Sequence, residues 1–373
     1  EMVPGRPLFF ASAIPLAGIA QPVLVESHMG RPTKIEGNPE HPASLGSTDA
    51  ITQASVLDLY DPDRAKTVSH RGELAPWGAF FSEMRSQLSR RKARGGAGIR
   101  FLTGPVTSPS LAELMASILA DNPQAKWHQF DPVASPGDRP APAGAIYYFD
   151  KAAVVLSLDA DFLSCGPGSV RYQKDFAAAR RVTDDKKEMN RLYVVESTPT
   201  LTGTKADHRL TLPASEVEAF ARELSGRIGA GGGQSESPAS AGHGAGAPDR
   251  GRWAASVAKD LQASRGRSVV VAGHYQPAAV HELARAMNEA LGNAGATVLY
   301  GTAVAKTNPD GIASLRELVG EMHAGKVELL LILGGNPVYP PGADPPLPPL
   351  RLRNVALRPV QGSRCCFLAE SCL

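Results

Sequence analysis

Ala152-Ala153-Val154-Val155-Leu156-Ser157-Leu158-Asp159-Ala160-Asp161-Phe162-Leu163 is the stretch on which the reading of the fold turns. Its first seven residues are apolar except for Ser157, and they run directly into two carboxylates. A short apolar run closed by polar residues suits a strand buried on both faces, as in a parallel sheet. Gly166-Pro167-Gly168 follows as a turn, then a helix over roughly Val170 to Arg180, then a second apolar strand from Arg191 to Glu196. Strand, helix, strand is the unit from which parallel α/β sheets are built.

The same rhythm extends outward on both sides. Upstream, Trp77 to Arg91 reads as an amphipathic helix, with Phe80, Phe81, Met84 and Leu88 at helical spacing. Ile99 to Thr103 is a strand closed by Gly104-Pro105. Ser108-Pro109-Ser110 caps a helix over Leu111 to Leu119, and Ala125 to Asp131 is another strand. Downstream come strands at Ser268 to Ala272, Thr297 to Tyr300 and Val327 to Leu333, with helices at His281 to Leu291 and Ile312 to Ala324. Before residue 77 the character differs. Val23 to Ser27 and Pro32 to Glu36 form a β-hairpin around His28-Met29-Gly30-Arg31, and a short helix near Asp49 to Leu59 stops at Asp61-Pro62-Asp63-Arg64.

These patterns divide the chain into a β-rich N-terminal lobe at 1–76, an α/β domain at 77–228, a Gly/Ser/Pro-rich loop at 229–250, a second α/β domain at 251–339 and a tail at 340–373. The loop is too poor in apolar residues to bury a core. The tail opens with six prolines in the eleven residues 340–350, and three of the four cysteines (Cys365, Cys366, Cys372) fall in its last nine residues. So abrupt a change after a regular strand predicts an aberrant or out-of-frame segment. The first residue is Glu1, which is read as a processed or partial start with any targeting signal upstream.

Composition excludes several classes. The 39 basic and 37 acidic residues leave a net charge of +2, so no electrostatic footprint for nucleic acid exists. The cluster Arg90, Arg91, Lys92 and Arg94 reads as a solvated helix end. The longest uncharged run, Pro7 to Val25, has the length of a membrane span but carries Pro7, Pro15 and Pro22; it reads as turns leading into the hairpin. Cys165 is the single cysteine before residue 340, so a four-thiolate iron–sulfur site cannot be assembled there, and a structural zinc site, which takes four Cys or His ligands, has one thiolate to draw on. The nine histidines are scattered without a chelating pattern. Gly166-Pro167-Gly168 lacks the third glycine of a dinucleotide fingerprint, and Pro167 lacks an amide donor. No nucleophile elbow, paired carboxylates or triad spacing stands out. Five strand ends carry glycine or small polar residues where an open α/β sheet places ligands: Thr103-Gly104-Pro105, Asp159-Ala160-Asp161, Glu196-Ser197-Thr198, Gly273-His274 and Gly334-Gly335-Asn336-Pro337.

Longer motifs add a resemblance. Gly30-Arg31-Pro32-Thr33-Lys34-Ile35-Glu36-Gly37-Asn38-Pro39-Glu40-His41-Pro42 resembles the hairpin near the start of molybdopterin oxidoreductases. Gln53 to Arg64, Ala160 to Leu163 with Pro167 to Tyr172, Glu196-Ser197 with Thr202 to Arg209, His281 to Asn293 and Leu333 to Tyr339 continue the match in order. Together they resemble the molybdopterin-oxidoreductase-like iron–sulfur subunit of alternative complex III, a bacterial quinol-oxidising respiratory complex, over about residues 1–339.

The resemblance implies a molybdopterin-oxidoreductase-like α/β fold: a small β-rich lobe plus Rossmann-like parallel-sheet domains, incomplete at both ends. Catalytic relatives place four cysteines around the hairpin, where Phe9 to Gly18 and Gly46 to Asp49 have none here. It therefore implies a non-catalytic scaffold with no cofactor in this stretch, and 4Fe-4S or 3Fe-4S clusters further along the protein. The implied partners are the cytochrome and quinol-binding membrane subunits of a respiratory complex, with no nucleic acid. The implied location is the periplasmic face of the inner membrane, reached by a twin-arginine-type signal. The alternative is an active enzyme of the polysulfide or thiosulfate reductase type carrying molybdopterin guanine dinucleotide. Its pocket, vestigial in the scaffold, would use Gly104, Asp161, Ser169, Arg171, Glu196, His274 and Asn336, with Arg171 and backbone amides on the pyrophosphate.

Overall fold

The computed structural model describes residues 3–16, 19–64, 66–130, 145–164, 166, 168–230, 250–301 and 311–334. Asn336, the 340–373 tail and most of the 229–250 loop lie outside them. In chain order the strands are β1 (Leu8–Leu16), β2 (Ile19–His28), β3 (Arg31–Gly37), β4 (Ser69–His70), β5 (Glu73–Leu74), β6 (Ile99–Thr103), β7 (Lys126–Gln129), β8 (Ala145–Tyr147), β9 (Val154–Leu158), β10 (Arg191–Glu196), β11 (His208–Thr211), β12 (Ser268–Ala272), β13 (Val298–Tyr300) and β14 (Leu329–Leu333). The helices are α1 (Ala50–Ala54), α2 (Trp77–Lys92), α3 (Pro109–Asp121), α4 (Ser169–Arg180), α5 (Leu201–Thr204), α6 (Ala214–Ile228), α7 (Arg250–Ala263), α8 (Ala278–Ala290) and α9 (Gly311–His323), with tighter turns at Ser55–Leu59 and Phe149–Lys151.

The chain is mixed α/β with parallel sheets, and it divides into two units. One holds 1–36, 50–138 and 304–373; the other holds 37–49 and 139–303. The second is built on β9. All five of its residues are buried because it is a central strand, paired in parallel with β10 on one side and β12 on the other. The order is β11-β10-β9-β12. Side chains alternate between two cores with the period of a strand. Val154, Leu156 and Leu158 pack with Tyr193, Val195, Val270 and the apolar faces of α6, α7 and α8. Val155 packs with Leu192, Val194 and an aromatic group in which Phe149 stacks on Phe162 at 4.3 Å.

In the first unit β6 plays the same part. It is buried throughout and lies in parallel between β14 and β7. Ile99 and Phe101 face Met115 of α3, and Leu102 faces Leu315 and Leu318 of α9. Ser108 caps α3 by accepting the Leu111 amide at 3.3 Å. The partnership of β14 with β6 draws residues 311–333 to 77–130, although the two are far apart in sequence.

The N-terminal lobe departs from its expected form. Met29 and Gly30 do turn the hairpin, both with positive φ (51° and 79°) as a two-residue turn requires. The run from Pro7 to Val25, however, is not a series of turns: it contains β1 and most of β2, paired antiparallel from Leu8↔Ser27 to Leu16↔Ile19. The prolines are tolerated because Pro15 pairs with Ala20 and Pro22 with Ala13, placing both in the same alternating class of positions. For β1, an edge strand, that is the class whose nitrogens point away from its partner, where no donor is missed; in β2, flanked on both sides, Pro22 gives up a donor towards β3. In α2, Phe80 is buried and Met84 partly so, whereas Phe81 is exposed; helical spacing alone overstated that face. Among the described residues no helix is long and apolar enough to cross a membrane.

Candidate functional site

In the second unit, β9, β10 and β11 step outward in one direction while β12 lies on the other side of β9. The direction of winding therefore reverses between β9 and β12. The carboxyl ends flanking such a reversal are where open α/β sheets bind ligands.

Asp159 occupies this point. It follows the last residue of β9 with φ at 57°, a left-handed conformation that Asp tolerates better than most residues. Ser157 prepares the bend: its hydroxyl donates to the Ala160 carbonyl at 2.8 Å and accepts the Ala160 amide at 3.0 Å. The Asp159 carboxylate then bridges the neighbouring strand ends. Oδ1 accepts the Ser197 amide at 3.0 Å and its hydroxyl at 3.3 Å, after β10. Oδ2 accepts Nε2 of Gln276 at 2.8 Å, after β12. Gly273 lets the β12 end close on β9, since a Cβ there would overlap the Asp159 carbonyl. Gln276 is buried, and its Oε1 has no hydrogen-bond partner among the described residues.

The carboxylates next to this point are likewise engaged. Asp161 accepts the amide and hydroxyl of Thr202 at 3.0 and 2.7 Å, tying the β9 end to α5. Glu196, at 1% exposure, accepts from Arg209 and from the Thr200 hydroxyl at 2.6 Å. Gly203 is required beside it, because a Cβ would run into the carboxylate. Ser169 begins α4 and is buried. The preceding Gly168 has φ at 81°, and a Cβ there would meet the Tyr172 ring at 2.8 Å. Arg171 pairs with Asp175 at 3.1 Å, donates to the Pro42 carbonyl at 3.1 Å and lies 5.0 Å over the Tyr148 ring. Burial pushes the Asp175 carboxyl above its usual range, against the opposing pull of Arg171. His274 is exposed beside Tyr275.

Of the residues expected from sequence, Asp161, Ser169, Arg171, Glu196 and His274 all fall in the second unit, at strand ends or at the start of the helix after β9. Gly104 follows β6 in the first unit, and Asn336 lies outside the described residues. The residues that span the reversal point are Asp159, Ser197 and Gln276. Asp159 and Ser197 had a local signal, each a polar residue straight after an apolar strand; Gln276 had none. Among the described residues no three His, Cys, Asp or Glu side chains are placed to hold a metal ion.

No protein-family profile matches the chain. A mixed α/β fold with parallel sheets, its strand ends bridged by a carboxylate where the winding reverses, is the class these observations define. A stretch of 161 residues is 28% identical to the menaquinone reductase, molybdopterin-binding-like subunit of Nitratidesulfovibrio vulgaris. It covers 40% of this chain and 23% of that relative. The chain is therefore distantly related to molybdopterin-oxidoreductase-like proteins. Among solved structures, the formyltransferase/hydrolase complex of Methylorubrum extorquens with methylofuran aligns at a TM-score of 0.41 and 14% identity, over 77% of this chain and 80% of that one. A likeness that slight says nothing of chemistry.

Proposed function

We propose that this chain is a non-catalytic, molybdopterin-oxidoreductase-like scaffold domain of a quinone-linked respiratory complex. The name of its relative, a subunit of a menaquinone reductase, supports the quinone-linked, multi-subunit part of this reading. The finer assignment is to the alternative complex III type, with quinol as electron donor. The domain then sits at the periplasmic face of the membrane, holds cytochrome and quinol-binding subunits, and leaves iron–sulfur clusters to other parts of the protein.

The observation that carries the non-catalytic reading is the state of the strand ends. Asp159 links the ends of β9, β10 and β12, and Asp161, Glu196 and Arg171 are satisfied by Thr202, Arg209 and Asp175. A pterin dinucleotide brings two phosphates. At these strand ends they would meet the Asp159 carboxylate at the reversal point, and Arg171 would have to leave a buried acid to reach them. The residues present do not fit that group. The thiolates for an adjacent cluster are also missing from residues 1–64. The enzyme reading would need Arg171 and Asp159 to change partners, and no contact described above favours it. Metal analysis of the intact subunit, purified from its own cells, tests the proposal. Molybdenum well below one atom per chain is expected, and stoichiometric molybdenum refutes it.

A further inference from the structure

Helix α2 turns an apolar stripe to solvent. Its Phe80 is buried and its Met84 packs against the cluster around Met115, but Trp77, Phe81 and Leu88 are 59, 52 and 36% exposed. At helical spacing these three fall within about 40° of one another around the axis, so they line one face. The Trp77 and Phe81 rings stack with centroids 5.8 Å apart. Aromatic side chains span roughly 150–250 Å² and a leucine somewhat less, so the stripe presents about 300 Å². That is well short of the roughly 800 Å² one partner gives to a standard protein interface, and within what an ordinary monomer shows in one patch. Apolar area alone names no partner; the charges beside it do.

Lys92 and Arg85 come next around the axis, within about a further 40°, and both are exposed. The rest of that side of the helix is glycine and serine, and no carboxylate interrupts it. Glu83, the acid of α2, lies on the opposite side and accepts from Gln87 at 2.6 Å. Glu328, which reaches the end of the helix, is held by Arg91 and Arg94. Among the described residues neither Arg85 nor Lys92 has an ion-pair partner. Exposed aromatic rings with cations alongside and no acid are what a helix lying in the surface of an anionic bilayer presents.

We propose that α2 contacts an anionic lipid bilayer directly. Trp77, Phe81 and Leu88 enter the headgroup boundary, where amphipathic rings are favoured, and Lys92 and Arg85 meet the phosphates of acidic lipids. A second copy of this chain fits less well, because its own stripe brings further cations and no acid. This goes beyond the scaffold reading, which places the domain at a membrane without assigning any of its residues to lipid. The contact does not depend on that reading: molybdenum content bears on the one and vesicle binding on the other.

The test is flotation of the full chain with phosphatidylcholine vesicles, with and without phosphatidylglycerol. Binding about tenfold or more tighter to the anionic vesicles, weakening as salt rises, is expected. A cation at an anionic surface contributes about fivefold, so Arg85→Gln with Lys92→Gln should weaken binding about 25-fold. Trp77→Ser with Phe81→Ser should weaken it about tenfold or more. Arg90→Gln, on the side of Glu83, should change it less than about threefold. All five residues are exposed, so these variants keep the fold, which an unchanged melting temperature verifies. A second readout uses Phe81→p-benzoylphenylalanine, irradiated in the membranes of its own cells, where joining to lipid is expected. Absent or equal binding to the two kinds of vesicle, binding unchanged in both double variants, or Phe81 crosslinks confined to polypeptide, whether another chain or a second copy, overturn the lipid contact.

Discussion

Replacing Asp159 tests whether the strand ends of the second unit are held by that one carboxylate. Asp159→Ala removes three hydrogen bonds, from the Ser197 amide, the Ser197 hydroxyl and Gln276 Nε2. Ser197 is exposed, so its amide and hydroxyl return to water and their loss costs about 0.5–1 kcal/mol. Gln276 is buried and its Oε1 already lacks a partner, so losing the bond at Nε2 leaves both ends of the amide unsatisfied, at about 1–3 kcal/mol. Alanine at φ 57° adds about 1 kcal/mol over Asp. The sum is about 2.5–5 kcal/mol. Asp159→Asn is the informative companion. It tolerates the backbone, still accepts from Ser197, and can donate to the Gln276 carbonyl after the amide turns over; about 1 kcal/mol or less is expected. Hydrogen exchange of peptides covering β9, β10 and β12 reads this locally, without requiring the two units to unfold together. Exchange about 60-fold or more faster in Asp159→Ala and less than about tenfold faster in Asp159→Asn is expected, by the usual 1.4 kcal/mol per decade. Exchange in Asp159→Ala within about threefold of the parent, or equal damage in both variants, refutes the bridging role.

Two further outcomes follow from neighbouring geometry. Gly203→Ala drives a methyl into the buried Glu196 carboxylate and forces it off Arg209 and Thr200; a loss of about 2–3 kcal/mol is expected, as for a buried carboxylate stripped of its partners, and an unfolding free energy in urea within about 0.5 kcal/mol of the parent contradicts it. In the first unit, His128 is buried on β7 with Nδ1 3.0 Å from the Ser314 carbonyl and Nε2 4.0 Å from Glu321, and Glu321 also bonds Arg100 and Lys126. Burial lowers the His128 pKa below its usual 6.5, so the unfolded chain takes the proton first and stability falls as pH drops below about 6.5. Burial works against ionised Glu321, but Arg100 and Lys126 outweigh it and hold its pKa down to about 2. Its stabilisation is therefore present above about 4.3 and lost as pH falls towards 2. Urea midpoints followed by Trp127 fluorescence, with Trp77 and Trp253 replaced by Phe, should decline in both ranges; Glu321→Gln should flatten the lower one and His128→Asn the upper. An unaltered pH slope in both variants refutes the assignment.

The α/β character was legible in sequence because a central parallel strand is buried on both faces and must be apolar throughout. Val154 to Leu158 and Ile99 to Thr103 could be little else, and Arg191–Glu196 and Ser268–Ala272 were bounded correctly for the same reason. The α3 cap was legible because its chemistry is local, a Ser followed by Pro at the start of a helix. β1 was missed because a proline's effect depends on which way its nitrogen faces, and only the pairing partner fixes that. The strands β8 and β11 are too short to leave a pattern, and their places are set by β13 and β10.

For the site, the sequence by itself determined which strand ends carry Asp, Glu and Gly, and that cysteines are missing around the hairpin. Only the tertiary structure decided that the winding reverses between β9 and β12, and that Asp159, rather than Asp161, reaches across it. Strand order is a long-range choice made by packing, and residues 159, 197 and 276 carry no mark in sequence that they will meet. Whether a carboxylate is free or engaged depends on such partners, so its chemistry became readable only once they were in place.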